Sequence, residues 1–336
     1  MKVLLDHPNP FLLAHGGFQI QIEQTKKALE EVGIEVEYLR WWDAEQSGDV
    51  IHFFGRPQSS YIERAQAKGI KVVMAELLGG LGSRSAVSRF FQRFLTLTAK
   101  RILPKQFMSK LAWESYKIAD AIIALTAHQA RLMSEMFGAA PEKIHVVPNG
   151  VEAVFFDSPK VERGKWLLCT ATITERKEVL KLAEMAIAAE TPLRVIGRPY
   201  SEQDPYYLRF LQLSRSHADL ILYEGGIEDR ERLAAAYRNA RGFVLLSTME
   251  TLSLSALEAA ACECPLLLAD LPWACAAFKN KASYCSVRES AAETARALCK
   301  FYDLAPTLQL PEKPKTWTEI ARDLQRIYEL VCKTSR

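Results

Sequence analysis

Short apolar runs alternate with amphipathic helical segments along nearly the whole chain, and this alternation restricts the fold more than any other feature. Strand-like runs fall at 3–5, 36–39, 50–54, 70–74, 121–125 and 144–147, with helical periodicity at 18–32, 60–68 and 127–137 between them. Each of these helices is followed by a glycine, Gly33, Gly69 or Gly138, and Thr126 stands as N-cap of the third. In the first helix Ile20, Ala28, Leu29 and Val32 form an apolar face, while Glu23, Lys26, Lys27 and Glu30 form a wet one. The pattern pauses at the turn Pro148-Asn149-Gly150 and through the aperiodic 152–164, then restarts. Strands follow at 166–170, 193–196, 220–223, 242–246 and 266–269, with helices at 177–188, 206–214, 230–239 and after 253. Strand and helix in this order imply a mainly parallel sheet covered on both faces. A chain of 336 residues is long for one core. The expectation is therefore an α/β protein of two doubly wound domains, 1–155 and 156–316, with a final amphipathic helix from Trp317 that can return to either.

Composition narrows the function classes. A formal net charge of +3 is too mild to argue for a nucleic-acid partner. The apolar start at Met1 is too short for a signal peptide, and no run approaches the roughly 18 apolar residues of a membrane span. A cytoplasmic protein is expected. The seven cysteines, an odd number without framework spacing, read as buried thiols of a reducing compartment.

The stretch 247–265 is where the candidate chemistry converges. An apolar run from Gly242 ends there, a polar turn holding Glu250 follows, and Leu254, Leu257 and Ala261 recur at helical spacing with Glu258 among them. Glu250 thus falls at the carboxyl end of a strand, the edge at which open α/β sheets bind ligands.

Several motifs, taken in order, resemble the retaining GT-B glycosyltransferases of family 4. They are Gly16-Gly17 before a long helix, Val147-Pro148-Asn149-Gly150-Val151, Ile196-Gly197, Glu224-Gly225-Gly226-Ile227, Glu250 and Glu258 eight residues apart, and Trp317 to Tyr328 at the end. The resemblance runs almost end to end and implies two Rossmann-like domains facing a central cleft. It implies a nucleotide-diphosphate sugar as donor substrate, with no further cofactor, and a glycan or lipid-linked acceptor. It assigns Glu250 to the hydroxyls of the transferred sugar, Glu258 to the ribose, and Lys177 to the leaving phosphates. Around the donor it also places Gly16, Gly17, Gly197, Arg198, Ile227, Thr251, Leu252 and Ser253.

Physical chemistry agrees with these residue types. Backbone N–H groups at glycine turns and helix starts suit a diphosphate, a lysine offsets its growing charge, and a carboxylate accepts paired hydroxyls. No Asp-x-Asp occurs, which fits a metal-independent site. The chain departs from the family at Thr172, where an arginine is common, after the strand ending near Glu76, where many members carry a histidine, and at Glu263, where they carry glycine. A non-catalytic nucleotide-sugar scaffold and a nucleotide-sugar epimerase remain alternatives, whereas a dehydrogenase lacks the Gly-x-Gly-x-x-Gly it needs. His15 and His52 are weaker candidates, and His52 reads equally well as a structural histidine. Finally, 84–110 interleaves seven Lys and Arg with phenylalanines and leucines and holds no acidic residue. It reads either as helices packing their aromatics into the first domain or as a peripheral contact with an anionic membrane at its inner face.

Overall fold

The computed structural model describes all residues except 9, 14–15, 85, 103–110, 158–160, 287–289 and 334–336. The chain forms two compact units, one of Met1–Gly150 with Trp317–Arg336 and one of Val151–Thr316.

The first unit is built on six strands, β1 (Lys2–Asp6), β2 (Glu35–Tyr38), β3 (Val50–Phe54), β4 (Lys71–Ala75), β5 (Ala121–Ala124) and β6 (Ile144–Val146). They pair in parallel in the order β2-β1-β3-β4-β5-β6. All five residues of β3 are buried, as a central strand covered on both faces requires. The helix Gly17–Glu31 buries Gln21, Ile22, Thr25, Ala28 and Leu29. The terminal helix Trp317–Lys333 packs against it, burying Trp317, Ile320, Ala321, Leu324, Ile327, Tyr328 and Val331. Thr318 Oγ1 donates to Glu31 at 3.1 Å across that contact. The helical run at 127–137 splits into an α-helix, Ala127–Leu132, and a π turn, Met133–Phe137, that ends on left-handed Gly138. Thr126 caps it by accepting from the Gln129 N–H at 3.1 Å.

The second unit holds β7 (Leu167–Thr170), β8 (Leu193–Ile196), β9 (Ile221–Tyr223), β10 (Gly242–Leu245), β11 (Leu266–Ala269) and β12 (Ser283–Cys285), parallel in the order β12-β11-β10-β7-β8-β9. Val179, Leu182, Phe210, Val244, Leu298 and Phe301 lie in its core. Three elements lie outside the expectations from sequence: β12, which has only three residues, the helix Pro272–Phe278 before it and the helix Ala291–Leu304 after it. The latter announces itself by a capping box between Ser290 and Glu293. All seven cysteines are free thiols, and the expectation of burial holds for Cys169, Cys262, Cys264 and Cys285, whereas Cys275 and Cys299 are exposed. Those two sit on outer helix faces, and the Cys275 thiol donates to Asp270 Oδ1 at 3.3 Å.

Candidate functional site

In the second unit the strand order reverses between β7 and β10, because β8 and β9 lie to one side of β7 and β10 to β12 to the other. At such a switch point the loops leaving the two strands diverge and open a crevice at the carboxyl edge. Here the loop after β10 carries Glu250 and the loop after β7 carries Arg176 and Lys177. Their backbones are stitched together: the Thr248 N–H donates to Arg176 O at 2.9 Å, and the Thr248 hydroxyl donates to the same carbonyl at 3.2 Å. This occupancy of the Arg176 carbonyl has a local consequence. Lys177, expected as the first helical residue, lies instead in a 3-10 turn, Glu175–Lys177. Glu178 then takes a left-handed conformation, φ 53°, before the helix Val179–Ala188 begins.

The Glu250 carboxylate is the focus of that crevice. Its Oε1 accepts from Ser247 Oγ at 2.9 Å, from Arg176 Nη1 at 3.2 Å and from Lys177 Nζ. Arg176 Nη1 also reaches Met249 O at 2.6 Å. The side chains of Glu250 and Lys177 are only 12% exposed, against 39% for Arg176. Two cations share one carboxylate, so the cluster carries an excess positive charge in a partly desolvated place, where Coulombic attraction for an anion is stronger than in bulk water.

Glu258 sits in the helix Leu254–Ala261, whose N-cap is Ser253, with Ser253 Oγ accepting from the Ala256 N–H at 3.3 Å. The side chain is buried. Oε1 accepts from Arg230 Nη2 at 2.7 Å and Oε2 from Tyr237 OH at 2.8 Å. Arg230 also pairs with Glu152 at 2.6 Å and lies over the Phe155 ring, 4.8 Å from its centroid. The Tyr237 hydroxyl is 2.5 Å from Thr170 Oγ1 at the end of β7. Burial raises the Glu258 pKa and outweighs Arg230 and Tyr237, which hold it down. Burial likewise lifts the Tyr237 phenol well above its ordinary value. Arg230, Tyr237 and Glu152 escape a reading of the sequence. The available signal was Asp229 as N-cap with Arg230 and Tyr237 seven residues apart on one helix face.

The remaining expected donor residues are placed as follows. Gly197 has φ 155° and passes so close to the β7 loop that a Cβ there would lie 1.8 Å from Ala171 O. Its N–H donates to Gly225 O at 2.8 Å. Arg198 is largely exposed and pairs with Glu228 at 2.9 Å. Leu252 is buried, and Thr251 and Ile227 are half-buried. Arg163 joins the two helices that carry the Glu258 network. Its Nη1 donates to Arg238 O at 3.0 Å and Ala240 O at 2.9 Å, and its Nη2 to Glu263 O at 2.8 Å.

In the first unit Gly16, φ 135°, is the N-cap of the helix that Gly17 begins, and its carbonyl accepts from the Ile20 N–H at 3.1 Å. His15 lies outside the described residues. His52 is the middle residue of β3. Its ring stacks on Phe54 with centroids 4.3 Å apart, its Nδ1 is 2.6 Å from Tyr328 OH, and burial depresses its pKa to about 3. It is a structural histidine that ties the sheet to the terminal helix. Glu76, at the position lacking the family's histidine, accepts from Tyr116 OH and faces Arg56 Nε at 3.5 Å, with its pKa raised by burial. Among the described residues, no group of three or more His, Cys, Asp or Glu side chains is arranged to hold a metal ion.

The sequence model described as "Glycosyl transferases group 1" matches residues 151–324, and that described as "Glycosyltransferase Family 4" matches 36–154. A D-inositol 3-phosphate glycosyltransferase of Acidothermus cellulolyticus is 29% identical over 172 residues, which is 45% of this chain and 38% of that protein. The homologous enzyme of Nocardiopsis dassonvillei is 32% identical over 173 residues, 45% of this chain and 40% of that protein. The chain thus spans well under half the length of these relatives. Among solved structures, Anabaena Alr3699/HepE in complex with UDP superposes with a TM-score of 0.64 at 14% identity, covering 99% of each chain.

Proposed function

The chain belongs to the family described as glycosyl transferases group 1 and has its GT-B fold of two Rossmann-like units, and on that premise we propose that it moves a sugar from a nucleotide-diphosphate donor to an acceptor hydroxyl with retention at the reacting carbon. The observation that carries this reading is the Glu250 carboxylate held by Ser247, Arg176 and Lys177 at the switch point of the second sheet. A donor needs there both an acceptor for sugar hydroxyls and cations for the departing diphosphate. Glu250 supplies the first and Lys177 the second. The Leu254 and Ser255 N–H groups at the start of the helix behind Ser253 add donors without a charge of their own.

As the bond to the sugar lengthens, positive charge grows on the ring and negative charge on the diphosphate. Lys177, already fixed by Glu250, stabilises the second without reorganising, and Glu250 lies on the side of the first. The acceptor attacks from the face the diphosphate leaves, and its proton passes to a diphosphate oxygen, so the chain needs no general base of its own. Glu258 takes the ribose hydroxyls, its rotamer set by Arg230 and Tyr237. The structural neighbour's title names UDP, which makes a uridine diphosphate sugar the first donor to try.

Calorimetric titration with UDP and UDP-sugars, followed by assay of UDP release, tests the reading. Glu250→Gln should bind UDP and lose turnover, and Lys177→Met should lose both. Wild-type protein that binds no nucleoside diphosphate of any base would end it. A non-catalytic binder is the second reading, motivated by Thr172 in place of the common arginine. Slow release of free sugar from the bound donor argues against it.

A further inference from the structure

The strand order of the first unit reverses beside β1, with β2 on one side and β3 to β6 on the other. The loop that leaves β2 at the carboxyl edge, one strand from that reversal, carries two tryptophans side by side. Trp41 is 77% exposed and Trp42 84%, whereas Trp273 and Trp317 are buried. Neither exposed indole hydrogen bonds to or stacks on another described residue. The loop around them is nevertheless fixed. Arg40 donates through Nε and Nη2 to Asp43 Oδ2 at 3.0 and 2.8 Å, and through Nη1 to Glu37 Oε2 at 2.8 Å. Its backbone N–H donates to Gln46 Oε1 at 2.8 Å, and Gln46 Nε2 donates to Glu37 Oε2 at 2.8 Å and to Tyr38 O at 3.1 Å. Arg40 and Asp43 thus clamp the chain on both sides of the indoles and hold them out in water. On the same edge the His7 ring stacks on Phe11, with centroids 4.5 Å apart, and Phe11 meets the exposed Tyr38 ring edge-on at 6.3 Å.

We propose that Trp41 and Trp42 form a stacking platform for a neutral glycan, the sugar chain of the acceptor substrate. Calling that glycan the acceptor rests on the transferase reading above; its binding at this loop does not. Charge and area select the occupant. From Glu35 to Asp49 the sequence holds five acidic residues and one arginine, and the surface stays anionic even with Lys2 counted, which pairs with Glu35 and Glu37. An anionic bilayer or a nucleic acid would be repelled, and a second copy would bring the same charge against itself. Two indoles offer at most about 500 Å², below the roughly 800 Å² per partner that a stable protein interface buries. A pyranose fits both limits. The C–H bonds on its face carry partial positive charge and meet the negative face of an indole, while its hydroxyls find carboxylates already oriented by Arg40. Because the clamp holds the loop before any ligand arrives, little ordering remains to oppose binding.

Titration of the full chain with cellopentaose, maltopentaose, xylopentaose and N-acetylchitopentaose, read by tryptophan fluorescence and by calorimetry, tests the platform. At least one of the four should bind, shift the emission of the exposed indoles to the blue and shield them from acrylamide. Its monosaccharide should bind at least about tenfold more weakly, because a single ring covers less of the aromatic surface. Affinity should stay within about twofold between about 0.05 M and about 0.5 M salt, as for an uncharged ligand. Trp41→Ala combined with Trp42→Ala should bind at least about tenfold less while keeping the melting temperature and UDP affinity of wild type, since neither indole is packed. Wild-type protein that binds none of the four, or a double variant that binds like wild type, would overturn the proposal. So would fluorescence that answers only to a lysine-rich peptide and loses that response at high salt, which would make the loop a docking site for a basic protein. Binding of UDP without glycan sinks this platform alone, whereas binding of glycan without any nucleoside diphosphate sinks the transferase reading alone.

Discussion

Glu258→Gln separates a ligand role from a folding role at one atom pair. In the native protein Oε1 accepts from Arg230 at 2.7 Å and Oε2 from Tyr237 at 2.8 Å, and Arg230 keeps a second carboxylate in Glu152 at 2.6 Å. The amide preserves the shape and one acceptor. It weakens a charge-assisted bond to a neutral one, a loss of about 1 to 1.5 kcal/mol. Part of that is returned, because burial already disfavours the charged Glu258 side chain. The net destabilisation should be about 1 kcal/mol, a fall in melting temperature of about 2 to 4 °C for a domain of this size. Nucleotide affinity should respond far more. A carboxylate accepting two ribose hydroxyls loses one good acceptor and its charge, so UDP affinity should fall between about tenfold and a hundredfold. Tyr237→Phe supplies the control, since it removes one bond to Oε2 and leaves the charge. Its affinity should stay within about threefold of wild type. Calorimetric titration with UDP beside thermal unfolding gives both numbers. A Glu258→Gln protein that melts slightly low but binds UDP like wild type would refute the ribose assignment and leave Glu258 as a lock for Arg230 and Tyr237.

His52 has a folded pKa near 3 against about 6.5 unfolded, so its contribution to stability is present above the unfolded value and is lost as pH falls from there toward 3; at pH 5 the loss is roughly 2 kcal/mol. His52→Leu should flatten the acid limb of the unfolding midpoint, and an unchanged slope would place the acid sensitivity elsewhere. Arg163→Ala removes three well-formed bonds to carbonyls at the ends of two helices and should cost about 3 kcal/mol, read as a melting temperature lower by about 6 to 12 °C. Gly197→Ala sets a Cβ 1.8 Å from Ala171 O at a left-handed φ and should cost at least about 2 kcal/mol in urea unfolding, so a neutral result would mean that the β7 loop yields easily.

Much of the architecture was legible in order along the chain. Apolar runs with turn residues at their ends gave eleven of the twelve strands, and caps such as Thr126 and glycines such as Gly138 marked helix ends, because these signals rest on interactions within a few residues. The strand Ser283–Cys285 was not legible, since a three-residue strand with one buried side chain has no period to detect, whereas the helix Ala291–Leu304 behind it carried a signal in its Ser290 and Glu293 capping box that the reading passed over. The carboxylates at 250 and 258 were equally visible, as was the loop that holds the first of them.

What the amino-acid order determines by itself is therefore the alternation, the parallel class and the residue types gathered at 247–265. The tertiary structure decided their partners. Glu250 meets Arg176 and Lys177 from more than seventy residues away, and Glu258 is enclosed by Arg230 and Tyr237, because the reversal of strand order beside β7 brings separate loops to one edge. It also sent the terminal helix back to the first unit and turned the phenylalanines of Ala86–Ile102 outward. A periodic pattern states which face of a helix is apolar; only the surrounding surface decides whether that face is covered.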